Sequence, residues 1–294
     1  MSNLNKLSKA LVLGGGGITG IAWELGIVLG LKEGGVDVTN FDLIVGTSAG
    51  SNVGAMITSG LTLEEHFNLL LKSAVNIQSG IKFDNHEFGK IMLDAIRNSH
   101  DPQKARANIG KAALAADTIS EEEFLKTISA LLPEHEWSQK TRLVINAVDA
   151  ESGEWVTFDR DSGVPLLLAL MASSAVPGVY PPTTINKHRY IDGGMSSRTN
   201  ADVAKDEDLV LILATDPGMM TEQTGHKTHR ITFEEELQVL KDSGAKILVI
   251  TPDDASLLAK GDNPMNPEKL SPSAYAGRRQ GKLLINQVGQ LFKD

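Results

Sequence analysis

The run Phe41-Asp42-Leu43-Ile44-Val45-Gly46-Thr47-Ser48-Ala49-Gly50 decides how the chain is read. Its apolar half has the composition of a buried strand, and it stops at Gly-x-Ser-x-Gly before small, helix-compatible residues. Where a strand meets a helix in this way, the pattern makes a nucleophile elbow. The serine at the tip of the turn holds a strained backbone, and the two glycines keep Cβ atoms out of the closest strand-to-helix contacts. The spacing predicts that Ser48 projects from the end of a sheet. It also predicts a helix starting over Ser51 to Ile57, whose positive end favours negative charge beside Ser48.

Immediately upstream, Lys9 to Leu13 reads as a short buried strand running into Gly14-Gly15-Gly16-Gly17-Ile18-Thr19-Gly20. Ile21, Leu25, Val28 and Leu29 then carry a helical period to about Lys32. Successive glycines leave backbone N–H groups unshielded, and at the mouth of a helix such groups form a concavity for an anion. The same letters contain G-x-G-x-x-G at Gly15, Gly17 and Gly20, which raises a dinucleotide site with Asp37 as ribose ligand. The next strand argues against it. It ends in Gly-Thr-Ser-Ala-Gly rather than in an acidic residue, and as a parallel neighbour it brings Ser48 beside the glycine loop.

Downstream, Ser59 to Pro133 is helical by pattern, with segments Leu63 to Lys72, Asn85 to Asn98, Gln103 to Ala116 and Ser120 to Leu132. Ser120 and Glu123 fit a capping box. This stretch is either a cap over the nucleophile or a crossover layer packed on the sheet. His66, His86, His100 and His135 have no fixed spacing to a carboxylate and read as surface or packing residues. The core resumes at Arg142 to Ala150, a hairpin-like turn leads to Glu154 to Phe158, and Pro165 opens a buried helix over Leu166 to Ala172. Ser173 to Pro182 reads as a proline-stiffened loop, either a rigid connector or a wall of a pocket. In Arg189 to Gly194 a short strand delivers Asp192 to its C-terminal edge, although Asp-Gly-Gly is also a common turn. Asp208 to Thr215 and Lys246 to Thr251 read as buried strands with a helix, Phe233 to Asp242, between them, and Ser271 to Leu291 as one final amphipathic helix. His226 and His229 fall in a polar loop after Asp216, with flexibility as their default role.

At 294 residues with a hydrophobic fraction of 41%, the chain can bury a large core, and one α/β domain is expected. The absence of Cys excludes disulfides and thiolate metal sites and suits a cytoplasmic setting. A formal net charge of -9 argues against nucleic acid. No window approaches the roughly 18 apolar residues of a transmembrane helix, and the Leu11-Val12-Leu13 run is too short for a secretory signal, so membrane contact is expected to be peripheral. No cofactor or metal motif is apparent.

Taken in order, Gly14 to Gly20, Gly46 to Gly50, Ser173 to Pro182 and Asp192-Gly193-Gly194 resemble the patatin-like phospholipase family, over about Leu7 to Asp216. The resemblance implies a three-layer α/β/α sandwich, expected as a single domain over 1–294 with 59–135 as a helical cap or insertion after the nucleophile helix. It further implies a lipid acyl hydrolase that uses a serine and an aspartate without histidine. Ser48 matches the family nucleophile, Asp192 the aspartate, and Gly15, Gly16 and Gly17 the oxyanion loop, which the N–H of Ala49 would assist. One departure is Thr19, where many relatives carry Arg or Lys, so no role of that basic side chain is carried over. The residues agree on their own terms, since acyl transfer needs a nucleophile, a base and fixed donors for the oxyanion. A free aspartate, with a pKa of about 3.9, is a weak base for serine. Asp192 is therefore expected to be desolvated and within hydrogen-bonding reach of Ser48. The expected partner is an acyl lipid or ester substrate. Two rival readings remain: a Ser-Asp-His triad drawing on Asp192 or Asp216 with His226 or His229, and a non-catalytic module binding acyl-CoA or a nucleotide.

Overall fold

The computed structural model describes residues 7–77, 85–97, 99–216 and 225–292. Strand β1 (Lys9–Leu13), helix α1 (Gly17–Glu33), β2 (Leu43–Thr47) and α2 (Ala49–Thr58) come first. Four helices follow: α3 (Leu63–Ile77), α4 (Asn85–Arg97), α5 (Pro102–Ala115) and α6 (Glu121–Leu131). Then come β3 (Arg142–Asp149), β4 (Trp155–Phe158), α7 (Leu166–Ser174), β5 (Thr183–Ile185), β6 (His188–Asp192) and β7 (Leu209–Leu213). The chain closes with α8 (Gly225–Thr228), α9 (Phe233–Asp242), β8 (Lys246–Ile250), α10 (Asp254–Lys260), α11 (Leu270–Leu283) and α12 (Ile285–Leu291).

One sheet in the order β5-β6-β3-β2-β1-β7-β8 organises these elements, with β4 paired to β3 off that path. The central strands β3, β2, β1, β7 and β8 are parallel, whereas β4, β5 and β6 pair antiparallel. Parallel strands covered on both faces read as unbroken apolar runs, which is why Leu43-Ile44-Val45 and Leu209 to Leu213 show no polar alternation. Leu11, Leu13, Ile44, Ile145 and Leu211 turn toward the layer that includes α1, α2, α6 and α7. Ala10, Val12, Val45 and Val210 turn the other way, toward α9. Val148 and Ile191 share that second face with Ile109 and Ala113 of α5. The result is the expected α/β/α layering.

The helical stretch after α2 is split between the layers. α3 packs on α1 and α6 on α7, while α5 lies against β3 and β6 on the opposite face. Its capping signals read correctly: Ser120 and Glu123 form a reciprocal capping box on α6. The final segment is two helices, α11 and α12, rather than the single helix expected over Ser271 to Leu291. The break falls at Leu284, whose N–H is shared between the carbonyls of Gln280 and Gly281 at 3.2 Å each. Turning there lets Val288 bury completely and sets Phe292 edge-on to Phe41 with centroids 5.6 Å apart. Helix α11 also lies against α1 with backbone contact: a Cβ on Gly277 would run into the carbonyl of Trp23, and one on Gly26 into that of Ala274.

Candidate active site

Ser48 sits between β2 and α2 with φ 53° and ψ -114°, a conformation that an L-residue adopts only under tertiary constraint. The glycines on either side are required by contact: a Cβ on Gly46 would lie 2.5 Å from Ser51 Cα, and one on Gly50 would enter the carbonyl of Leu13. Several hydrogen bonds offset the strain. The Ser48 N–H donates to Ser173 Oγ at 2.9 Å, and the Ser48 carbonyl accepts from Ser51 Oγ at 2.6 Å and Asn52 Nδ2 at 3.1 Å. From β3, Asn146 Nδ2 donates to the Gly46 carbonyl at 3.0 Å.

Asp192 reaches this point by a route the sequence did not suggest. As expected it ends a short strand, but that strand, β6, runs antiparallel to β3, with Asp192 opposite Ala147. Asn146, one residue earlier on β3, is opposite Thr47 of β2, so Asp192 and Ser48 meet across β3 from opposite chain directions. A side chain at Gly193 would strike the carbonyl of Asn146, so glycine is what lets β6 pass so close. The Ser48 hydroxyl donates to Asp192 Oδ2 at 2.6 Å, and the Gly194 N–H donates to Oδ1 at 2.7 Å. Both side chains are buried, Ser48 at 7% and Asp192 at 3% relative exposure. Burial raises the Asp192 carboxyl to about 6, against the opposing pull of the Ser48 and Gly194 hydrogen bonds and the Arg198 charge.

The glycine loop lies on the other side of Ser48, and it corrects one expectation. The N–H of Gly15 is consumed by the carbonyl of Arg198 at 2.8 Å, so Gly15 has no amide to offer an oxyanion. Among the described residues, no backbone carbonyl accepts from the amides of Gly16, Gly17 or Ala49. Their direction follows from peptide planarity, because a C=O and the next N–H point opposite ways. The Gly16 carbonyl accepts from the Gly20 N–H inside α1, and the Ser48 carbonyl is turned into α2, so the amides of Gly17 and Ala49 point out of the helix mouths. Gly17 has φ 61°, and a Cβ there would lie 2.6 Å from the Pro264 carbonyl.

A narrow cavity of about 40 Å³ opens at Ser48, walled by Ile18, Ile21, Ile128, Leu131, Tyr180 and Met265. Phe124 of α6 stacks on Tyr180 with centroids 4.2 Å apart, fixing that wall. Thr127, Ile128 and Leu131 of α6 thus line the same cavity as Ser48, while a wider groove of about 530 Å³ lined by Thr58 to Leu63 lies at the far end of α2. At ten residues that helix is about 15 Å long, too far for the groove to serve Ser48.

The remaining candidates lie apart from the serine. Thr19 is fully buried and faces inward, with its N–H on the Pro264 carbonyl at 3.1 Å. Asp37 follows the other end of α1, about 25 Å of helix away, and accepts from Thr39 and Asn40, so it cannot serve a ribose held by the glycine loop. His66 is buried beside Ser59 at the C-terminal end of α2, with Nε2 2.6 Å from Ser59 Oγ. His229 is buried rather than set in a mobile polar loop, next to Thr228, whose carbonyl accepts from Arg106 at 2.7 Å. The His226 side chain lies outside the described residues. Among the described residues, the groups that act on the Asp192 carboxyl are Ser48, Gly194 and Arg198.

Sequence reasoning missed two supports. Ser173 and Ser174, assigned to a loop, form the last turn of α7, and Ser174 Oγ accepts from Asn52 at 2.9 Å. Pro177 masked that helical end, since a proline two or three residues later suggests a loop. Asn146, a polar residue inside an apolar strand, was the available signal for a buried partner at the elbow.

A family model described as Patatin-like phospholipase matches residues 11–205. The probable lipid hydrolase 463L of Invertebrate iridescent virus 6 is 26% identical over 203 residues, 68% of this chain and 64% of the viral protein. Lysophospholipase NTE1 of Coccidioides immitis is 32% identical over 105 residues, 32% of this chain and 6% of the fungal protein. The chain therefore spans less than two thirds of either relative. Among solved structures, VipD from Legionella pneumophila aligns with a TM-score of 0.48 at 13% identity, covering 96% of this chain and 67% of that one. No helix among the described residues is long and apolar enough to cross a membrane.

Proposed function

The chain belongs to the patatin-like phospholipase family, and from that premise we propose that it is a carboxylic ester hydrolase acting on acyl lipids through Ser48 and Asp192. The observation that carries this reading is the 2.6 Å hydrogen bond from the Ser48 hydroxyl to a buried carboxylate at the mouth of an apolar cavity. In the reaction, Ser48 Oγ attacks the ester carbonyl carbon as its proton passes to Asp192 Oδ2. The carbonyl oxygen becomes an oxyanion held by the amides of Gly16, Gly17 and Ala49. When the C–O bond to the alcohol breaks, Asp192 returns the proton to the leaving oxygen. Water then gives its proton to Asp192 and attacks the acyl-serine, and as that adduct collapses the C–Oγ bond breaks, Asp192 returns the proton to Ser48 Oγ and the fatty acid leaves.

The start of the acyl chain would enter the narrow cavity between α1 and α6, where Ile18, Ile21, Ile128, Leu131, Val176 and Met265 supply apolar walls. Helix α6 would serve as the cap within 59–135. The Ser-Asp-His reading has less support, because the Ser48 hydroxyl donates directly to Asp192 Oδ2 at 2.6 Å, with no room for an imidazole between them.

A panel of p-nitrophenyl esters of increasing chain length tests the proposal. The purified chain should hydrolyse them, and Ser48→Ala should not. Asp192 must be ionised to act as base, so kcat/KM should climb as pH rises through about 6 and level off above it. Turnover no faster than buffer across the panel, or full activity in Ser48→Ala, overturns the reading.

A further inference from the structure

Behind the glycine loop, on the side away from Ser48, lies a buried polar assembly contributed by elements after residue 205, beyond the stretch that the family model matches. The Thr215 hydroxyl, just past β7, donates to the Gly15 carbonyl. Thr215 also abuts the next residue, since a Cβ on Gly16 would lie 2.5 Å from its Oγ1. The Thr215 carbonyl in turn accepts from Lys260 Nζ of α10 at 2.7 Å. Thr215 is 2% exposed and Lys260 7%.

Resting on the reaction proposed above, we infer that Thr215 and Lys260 are positioning residues for the oxyanion loop: Lys260 fixes Thr215, and Thr215 clamps the Gly15 carbonyl so that the Gly16 N–H faces the reacting carbonyl. The first step of the inference is geometric. The Gly15 C=O and the Gly16 N–H belong to one planar trans peptide and point in opposite directions, so holding the first aims the second away from Thr215. The loop has no side chains to brace it, which leaves a hydrogen bond to its backbone as the available hold. The second step is electronic. A carbonyl that accepts a hydrogen bond polarises its amide, and the N–H of the same peptide becomes a better donor.

The placement of Lys260 fits this role. Burying an ammonium costs free energy unless it is paired and hydrogen-bonded. Lys260 faces the Trp23 ring at 5.6 Å, the carboxylates of Glu24 and Asp216, and the like charge of Arg198. Glu24 of α1 is fully buried, and burial raises its carboxyl well above the usual range against the opposing pull of the Lys260 charge. A charged lysine bonded to a neutral carbonyl makes a stronger tie than a neutral pair, and it stiffens the residue that holds the Gly15 carbonyl.

Thr215→Val, Thr215→Ser and Lys260→Met test the inference with p-nitrophenyl butyrate and an alkyl trifluoromethyl ketone. The ketone forms a tetrahedral oxyanion when Ser48 Oγ bonds its carbonyl carbon. Thr215→Val keeps the shape and loses the hydroxyl, so kcat should fall about 10- to 100-fold with KM within about twofold, and ketone affinity should fall in parallel. Thr215→Ser should recover most of both, and Lys260→Met should shift both in the same direction as the valine variant. Wild-type kcat in Thr215→Val, with Ser48→Ala inactive, overturns the positioning role and leaves the hydrolase reading standing. Equal losses in the valine and serine variants would mean a packing role only and would likewise overturn it. Turnover persisting in Ser48→Ala overturns the hydrolase reading and the positioning role with it.

Discussion

In Asp192→Asn, kcat on a soluble ester should fall about 100- to 10,000-fold, the usual range for loss of a general base, while KM changes little. The amide matches the carboxylate in shape, and its oxygen can still accept from the Gly194 N–H, now 2.7 Å from Oδ1. What it lacks is a site for the Ser48 proton. The fold should not suffer, because a carboxylate raised to about 6 by burial is itself a cost that the neutral amide removes. The melting temperature of the variant should therefore equal or exceed that of the wild type. A low rate together with a lowered melting temperature would point to misfolding instead, so both measurements are needed.

Gly16→Pro should be as severe for a different reason. Proline deletes the N–H assigned to the oxyanion, and one such donor is typically worth about 100- to 1000-fold in turnover. Its Cβ would also press on Thr215 Oγ1, 2.5 Å from the ideal position, which shifts the loop and the Gly17 amide after it. The loss should appear in kcat measured with a short-chain ester, with circular dichroism unchanged. A rate within a few-fold of wild type would remove Gly16 from the mechanism. Gly15 is not one of these donors, because its amide is already bound to the Arg198 carbonyl.

The features legible in the sequence are those encoded locally. A β-branched run, two glycines around a serine and a helix-compatible tail are enough to specify the elbow, and the same holds for the strand, glycine loop and helix over Lys9 to Lys32. Features set by distant backbone were not legible. The approach of Asp192 depends on the β5–β6 hairpin, whose turn residues Asn186 and Lys187 both have positive φ, 50° and 72°. An Asn-Lys pair is a weak turn signal, so the strand reversal went unseen. The loss of Gly15 as a donor hinges on the carbonyl of Arg198, and a carbonyl leaves no mark on residue type. The break at Leu284 has the same character, since it follows from where Val288 and Phe292 can bury. The division of the 59–135 helices between two faces also reflects packing, because an amphipathic period says that a face is buried and not against what.

Mapping the adduct of a fluorophosphonate probe in the wild type and in Asp192→Asn measures the central pairing most directly. The label should sit on Ser48, form faster as pH rises through about 6, and form far more slowly in the asparagine variant. A label on any other residue, or an undiminished labelling rate in Asp192→Asn, would contradict the pairing of these two side chains.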